Sequence, residues 1–207
     1  MEEYPLRVRN NIIPLSISGM LPQAFEEWYF TDRTIDHGHA IETCQLCEQE
    51  DLRYHFEIAN DLTNKKLLVG SRCILKFDLS VFEHGRRLAH NGAKKKLEQL
   101  MQKMHFESCI DALKELNDLE GNPILSTAIS YYRKNKYLSP RLAFVVMWRL
   151  SVHKIDYTPS FFKINLSLKK HKNDLMNMPL SQVHKIWYSL SSSQREIALK
   201  LGHQAPK

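Results

Sequence analysis

Long hydrophobic runs are missing from this 207-residue sequence. A membrane-spanning helix needs about 20 consecutive apolar residues, and no stretch of the chain approaches that length. The first residues also lack the basic and then apolar layout of a signal peptide. The sequence therefore predicts neither a membrane partner nor secretion, and we expect a cytoplasmic protein.

Catalytic motifs are missing as well. There is no P-loop, no G-x-G-x-x-G after a strand, no G-x-S-x-G and no H-E-x-x-H. The H-x-E and C-x-x-C layout of zinc deaminases is absent, and no βαβ pattern supports a thioredoxin-like redox pair. The sequence therefore predicts neither an enzyme nor a protein with a small-molecule substrate.

Cysteine is scarce, with four residues in the chain, and their spacing is not that of a disulfide framework. Cys44 and Cys47 form a C-x2-C pair, and Cys73 follows a hairpin-like stretch. A C-x2-C knuckle, a hairpin and a third thiolate at a helix start are the arrangement of a treble-clef zinc site. The alternative is that these are small buried core thiols. The spacing favours a structural Zn²⁺ held by the three cysteines.

The stretch between the knuckle and Cys73 has the pattern of a β-hairpin. Apolar and polar residues alternate over positions 52–58, which is the period of a half-buried strand. Positions 60–64 are turn formers, and positions 66–69 make the return strand. A helix is expected to begin near Arg72, so that Cys73 lies in its first turn.

A structural zinc site needs a fourth ligand. His55 on the first strand is the first candidate, and its alternative role is that of a polar residue on the outer face of the hairpin. His37 and His39, just before the knuckle, are the other two candidates. Asp36 is a poorer one, because carboxylates are less usual partners of thiolates. Three thiolates and a histidine would close the metal shell, as in a structural site.

The same stretch resembles a treble-clef-like zinc-binding module of poorly characterised bacterial proteins, many of them carried by phages and plasmids. The pattern is C-x-L-C, then L-R-Y-x-F-x-I-x-N, then L-x-V-G-S-x-C-I, and it covers about a sixth of the chain. Related modules can have a second cysteine at the position of Ser71. The resemblance implies metal binding and a mobile-element setting, and it implies no activity. The residues that carry it are Cys44, Leu46, Cys47, Leu52, Arg53, Tyr54, Phe56, Ile58, Asn60, Leu68, Val69, Gly70, Ser71, Cys73 and Ile74.

Charge is distributed unevenly along the chain. Up to Glu83 there are eight Lys and Arg against fourteen Asp and Glu, a net charge of −6. From His84 onward there are twenty-one against nine, a net charge of +12. We therefore expect a zinc-binding module over residues 1–83 and a basic domain over residues 84–207. An excess of positive charge favours contact with a polyanion such as DNA or RNA, although basic helical domains are also common for solubility alone.

The candidate phosphate contacts lie in the second part of the chain. The lysine triplet 94–96 is the clearest electrostatic candidate, although a cationic start of a helix is not favoured by the helix dipole. A second lysine cluster precedes a later helix. The candidate nucleic-acid-binding residues are Arg86, Arg87, Lys94, Lys95, Lys96, Lys169, Lys170 and Lys172.

The second part of the chain has helical periodicity and repeated prolines at expected first turns. Positions 93–104 and 106–120 are amphipathic, and further helices are expected after Pro123, Pro140, Pro159 and Pro179. A capping-box pattern precedes a last helix. Trp148 and Trp187 lie in hydrophobic stripes and are predicted to be core residues. The predicted fold class is α+β, with a small zinc-binding hairpin module followed by an all-helical domain.

Two functions are compatible with this pattern. The first is a zinc-binding accessory protein of a bacterial mobile element whose basic helical part contacts nucleic acid. The alternative is a protein-interaction adaptor that docks on a larger enzyme or nucleoprotein complex through the zinc module. In the adaptor hypothesis the aromatic cluster Phe25, Trp28 and Tyr29 supplies the docking surface, although packing over the zinc module is the role that we expect for it.

Overall fold

The structure is a computed structural model that describes residues 4–207. It has the predicted α+β composition: a small three-stranded antiparallel sheet is followed by a helical region. The chain divides into two compact units, Met1–Met104 and His105–Lys207. The strands are β1 Tyr29–Asp36, β2 Tyr54–Asn60, β3 Lys65–Val69, β4 Phe82–Glu83 and β5 Arg86–Arg87, and the helices are α1 Leu6–Ile12, α2 Gln23–Glu26, α3 Ser71–Lys76, α4 His90–Glu120, α5 Pro123–Asn135, α6 Pro140–Val152, α7 Lys169–Met176, α8 Leu180–Ile186 and α9 Ser192–Lys200.

The predicted hairpin is present as β2 and β3, and a third strand covers its open edge. The sheet order is β1-β2-β3, with Phe56 opposite Val69 and Ile58 opposite Phe30. The turn after β2 is stabilised by the buried Asn60, whose side-chain oxygen accepts from the backbone N–H of Leu62 at 2.9 Å. As the central strand, β2 is hydrogen-bonded along both edges, and every residue after Tyr54 is buried.

The polar face of β2 is therefore buried, contrary to the expectation of an outer face. His55 is 2% exposed, and the side chain of Glu57 is 8% exposed. Arg33 of β1 and Lys66 of β3 contact the Glu57 carboxylate at 3.1 and 3.0 Å. A central strand can bury such a carboxylate because both neighbouring strands supply cations.

The N-terminal residues form a helix, whereas their alternation of apolar residues suggested short strands. Val8 and Ile12 are four residues apart and fully buried, while Leu6 is exposed. Four-residue spacing places side chains on one helix face, and Pro5 precedes the first turn. Val8 and Ile12 fit both a helical and a strand period, so the sequence pattern alone does not decide between a helix and strands here.

The division between the units differs from the boundary expected at residues 83/84. It falls between Met104 and His105, inside the continuous helix α4. Ala93, Leu97 and Met104 belong to the same buried cluster as Trp28 and Phe56. The first part of α4 thus completes the core of the first unit, although its charge resembles that of the later sequence.

The second unit is helical, and its local start signals are mostly as expected. Asn122 and Ser139 cap α5 and α6 with their side chains, and Pro123 and Pro140 occupy the first turns. Pro159 does not open an α-helix; it begins a three-residue 3₁₀ turn. The following segment is held in an extended form, since the N–H of Leu138 donates to the carbonyl of Lys163.

Among the described residues, no helix is both long enough and apolar enough to cross a membrane.

Candidate metal centre and basic surfaces

The C-x2-C knuckle is tied to the β-hairpin by backbone and side-chain hydrogen bonds. The backbone N–H of Gln45 donates to the carbonyl of Leu68 at 3.0 Å, and the Gln45 side chain accepts from the Leu68 N–H at 2.7 Å. The N–H of Gly70 donates to the Cys44 sulfur at 3.5 Å. Gly70 is the extended N-cap of α3, so that Cys73 lies in the first turn of that helix.

This arrangement brings three sulfur atoms together. The Sγ atoms of Cys44, Cys47 and Cys73 all lie within 4.8 Å of one another, and those of Cys44 and Cys73 are 3.7 Å apart. Two thiolates that bind one tetrahedral zinc at about 2.3 Å each are about 3.8 Å apart. The three cysteines are thus close enough to bind a metal ion.

Cys44 and Cys73 share a hydrogen bond that shifts their pKa values in opposite directions. This hydrogen bond lowers the pKa of Cys44 to about 5 against the opposing effect of burial. Backbone N–H groups at Cys47 and Gly70 add to the lowering. The same hydrogen bond raises the pKa of the Cys73 thiol, and burial raises it further. Cys44 is therefore ready to bind a cation as a thiolate, whereas Cys73 must release a proton.

His55 is not part of the sulfur group, which was expected to include it. Within residues 4–207, the group that can hold a metal contains cysteines alone. Nδ1 of His55 is 3.1 Å from Nε2 of His37, and Nδ1 of His37 is 3.5 Å from the Glu42 carboxylate. Burial, followed by the charge of His37, lowers the pKa of His55. Nε2 of His55 is buried and has no hydrogen-bond partner in the described part of the chain.

The other two candidates for the fourth ligand are not in the sulfur group either. His37 contacts His55, and His39 is exposed. The carboxylate of Asp36 accepts two hydrogen bonds from Arg53, at 2.9 and 3.0 Å. The structure thus brings together the three predicted cysteines and none of the predicted oxygen or nitrogen ligands.

A cavity of about 550 Å³ borders the sulfur group, and all three cysteines line it. Arg7, Arg72 and Lys76 also line this cavity and are exposed. Glu50 and Asp51 line it as well. The sulfur group is therefore accessible from a space with charged walls.

The aromatic cluster near the N-terminus packs in the core. Trp28 is fully buried, and Phe25 stacks on Phe77 with ring centres 4.9 Å apart. Tyr29 is half-buried, and its hydroxyl donates to Asp61 at 2.9 Å. The rings of Phe25 and Trp28 are thus not available as a docking surface.

The predicted basic residues of the first unit divide into two groups. Arg86, Lys94 and Lys95 are exposed, as is Arg87, whose guanidinium donates to Asp78. Lys96 is different: its side chain is 16% exposed, it pairs with Asp32, and its Nζ donates to the carbonyl of Phe82. The ammonium group of Lys96 thus already binds protein oxygens, and Lys96 is not counted among the candidate phosphate contacts below.

The predicted lysines of the second unit are exposed. Lys169, Lys170 and Lys172 lie in the first turn of α7, while His171 between them is buried. Asp174 on the same helix pairs with Arg141 of α6 at 3.1 Å. This ion pair joins the second turn of α7 to the first turn of α6.

The sequence analysis missed an exposed tryptophan on α6 that stacks on the partly buried Phe144. Trp187 is buried as predicted, but Trp148 is 43% exposed. The rings of Trp148 and Phe144 are nearly parallel, with an angle of 12° between their planes and 6.3 Å between their centres. The core face of α6 is Ala143, Met147 and Leu150. Trp148 directly follows Met147 of that core face, so helical spacing turns its side chain away from the core. Helical spacing alone could therefore have predicted its exposure.

Comparison of the chain with protein-family models, curated protein sequences and solved structures finds no significant match.

Proposed function

We propose that the protein is a zinc-binding accessory protein whose helical unit binds single-stranded nucleic acid. The observation that carries nucleic-acid binding is the exposed ring of Trp148, which stacks on the partly buried Phe144, together with the cations of α6 and α7. The setting in a bacterial phage or plasmid rests on the resemblance of residues 44–74 to zinc modules of such elements.

The aromatic pair has the properties of a base-stacking platform. Bases stack on exposed aromatic rings without strong sequence preference, and each stacked base contributes about 1–3 kcal/mol. Trp148 offers 43% of its surface to solvent. The guanidinium of Arg149 lies 4.6 Å from the centre of its ring and pairs with Glu120 at 2.8 Å, so it holds the ring in place and is not counted among the phosphate contacts.

Cations continue from this pair along the surface of the unit. Arg141 lies two turns before Trp148, a distance of about 10 Å along α6. Its partner Asp174 is four residues after Lys170, so both lie on one side of α7. Trp148, Arg141 and Lys170 therefore lie on adjoining surfaces of α6 and α7, and Lys169 and Lys172 belong to the same turn as Lys170.

The charge of the second unit supports a polyanionic partner. Residues 105–207 contain fifteen Lys and Arg against eight Asp and Glu, a net charge of +7, whereas residues 1–104 have a net charge of −1. Five of the eight acidic residues lie in the last part of α4. From Arg133 onward there are fourteen basic residues and three acidic ones.

Zinc has a structural role in this proposal. The three cysteines come from the knuckle and from α3, which flank the β-hairpin in sequence. A metal that binds all three joins these segments, and its binding free energy adds to the stability of the first unit.

Titration of the full chain with mixed-sequence single-stranded oligonucleotides at several salt concentrations tests the proposal. Trp148→Ala should weaken binding by about tenfold, because one stacking contact is lost, and should leave the salt dependence unchanged. Trp148→Phe should retain most of the affinity. Replacing Lys169, Lys170 and Lys172 with glutamine should lower the slope of log affinity against log salt by roughly 0.7 per lost contact.

The matched control is Lys65→Gln, at an exposed position of the first unit outside the predicted contacts, which should leave both affinity and slope unchanged. Zinc content should be equal in all these variants. Absence of binding at low salt, or binding that neither the tryptophan nor the lysine substitutions alter, would decide for the protein-interaction adaptor.

A further inference from the structure

The cavity beside the sulfur group has the size of a small-molecule site. Its volume is about 550 Å³, within the range of roughly 300–1,000 Å³ typical of ligand pockets. The knuckle, α1, α3 and α4 all contribute lining residues, and the three cysteines form one part of its wall. A metal bound to the three sulfurs would therefore border this space.

The described part of the chain brings three donors together. Among residues 4–207, the group of candidate donor atoms within 4.8 Å of one another consists of the three cysteine sulfurs. His55, the first candidate for a fourth ligand, is 2% exposed and its ring contacts His37. A zinc with three protein ligands has an open fourth position, whereas a purely structural zinc has four protein ligands.

We infer that the fourth coordination position of the metal opens into this cavity and takes an exchangeable small ligand, namely the thiolate of a small anionic thiol. This inference rests on the proposed metal binding and is independent of nucleic-acid binding. On binding, the thiol releases its proton to solvent and its sulfur replaces a coordinated water. The product is a metal with four sulfur ligands.

Two features of the site select this class of ligand. Sulfur is a favoured ligand of zinc in sites that already contain thiolates. Arg7, Arg72 and Lys76 line the cavity and are exposed, so they can attract the negative group of a thiol that carries a carboxylate or sulfonate. They outnumber the lining carboxylates of Glu50 and Asp51, while Arg53 is already bound to Asp36.

Cobalt substitution in the full chain tests the inference, because the absorption bands of Co²⁺ report its ligands directly. The chain loaded with one Co²⁺ is titrated with 2-mercaptoethanesulfonate and, separately, with neutral 2-mercaptoethanol. We expect the thiolate-to-cobalt bands to increase with both thiols while cobalt stays bound. Arg72→Gln should lower the affinity for 2-mercaptoethanesulfonate by about fivefold, which is the contribution of one exposed ion pair. The affinity for neutral 2-mercaptoethanol should be unchanged.

The His55→Ala variant tests whether His55 is the fourth ligand of the metal. The cobalt spectrum and its response to thiols should be the same in this variant as in the unmodified chain. Bands that do not change with either thiol, or that vanish because the thiol removes the cobalt, overturn the inference. A spectrum altered by His55→Ala also overturns it, since His55 would then close the shell. Failure of the cysteines to bind cobalt at all overturns the metal proposal together with this one.

Discussion

The rings of His37 and His55 meet edge to face, with Nε2 of His37 3.1 Å from Nδ1 of His55. The contact joins β2 to the residue that directly follows β1. It gives His55 a partner other than a metal, and the described residues that are close enough to bind a metal ion together are the three cysteines.

Replacing His55 with alanine should lower stability and leave metal binding intact. The ring is 2% exposed, and losing it removes packing and a buried hydrogen bond, at a cost of about 1–3 kcal/mol. Thermal or denaturant unfolding measures the loss, and metal analysis should still find one zinc per chain. His39→Ala, at an exposed position, is the control and should change neither quantity. Loss of zinc from the His55→Ala variant, with zinc retained in His39→Ala, would identify His55 as the fourth ligand.

Replacing Cys73 with serine should abolish stoichiometric zinc binding and destabilise the first unit. A hydroxyl is a much weaker zinc ligand than a thiolate, and the binding free energy of the metal contributes to folding. Metal analysis and thermal unfolding with and without zinc measure the two effects.

Cys109→Ser is the matched control for that substitution. Cys109 is a buried cysteine of the second unit whose thiol donates to the carbonyl of Asp156 at 3.1 Å. A serine hydroxyl can donate to the same carbonyl, so the variant should bind zinc as the unmodified chain does. Equal zinc loss in both variants would contradict a site at Cys44, Cys47 and Cys73.

Zinc affinity should rise with pH between pH 6 and 8. The pKa of Cys73 is raised by its hydrogen bond to Cys44, so zinc must displace at least that proton. Each proton released makes the apparent affinity rise roughly tenfold per pH unit while the group is protonated in the free protein. Chelator competition measures the affinity, and calorimetry in buffers of different ionisation enthalpy counts the protons. An affinity that is flat over this range would contradict the protonated state of Cys73.

Replacing Glu57 with glutamine should destabilise the first unit at neutral pH. Burial tends to raise the pKa of Glu57, but hydrogen bonds from Lys66 and Thr31 and the charges of Lys66 and Arg33 outweigh it, so the net pKa is lowered. A lowered pKa stabilises the fold fully above the ordinary value of 4.5, and this contribution is lost as pH falls through the folded-state pKa.

The Glu57→Gln variant should therefore be less stable by about 2 kcal/mol at pH 7, the value of charged hydrogen bonds. The difference from the unmodified chain should shrink as the pH falls below the ordinary pKa. Denaturant unfolding at several pH values measures it. Glu83→Gln, at an exposed position, is the control, and a pH-independent difference for Glu57→Gln would refute the charged-state explanation.

Replacing Lys96 with glutamine should lower the stability of the first unit by about 1 kcal/mol. The ammonium group binds Asp32 and the carbonyl of Phe82, and both contacts are lost. Lys95→Gln is the neighbouring control, because Lys95 is exposed. Denaturant midpoints of the two variants should differ, and equal midpoints would show that the contacts of Lys96 contribute nothing.

The sequence by itself determined the local parts of the protein. The alternation of apolar and polar residues, followed by turn residues, predicted the hairpin of β2 and β3. Prolines in the expected first turns predicted α5 and α6. The C-x2-C pair and Cys73 predicted the sulfur group. These features follow from neighbouring residues, since turns, caps and strand period depend on a few positions along the chain.

Only the tertiary structure decided which residues meet across the chain. His55 and Glu57 are buried because β1 pairs with the open edge of the hairpin. No local sequence pattern predicted that strand. Trp148 is exposed because α6 packs through Ala143 and Met147, one residue away in helical position. Lys96 is held by Asp32, which is distant in sequence. Periodicity shows that a segment has an apolar face, but the partner of each side chain depends on strand register and helix packing.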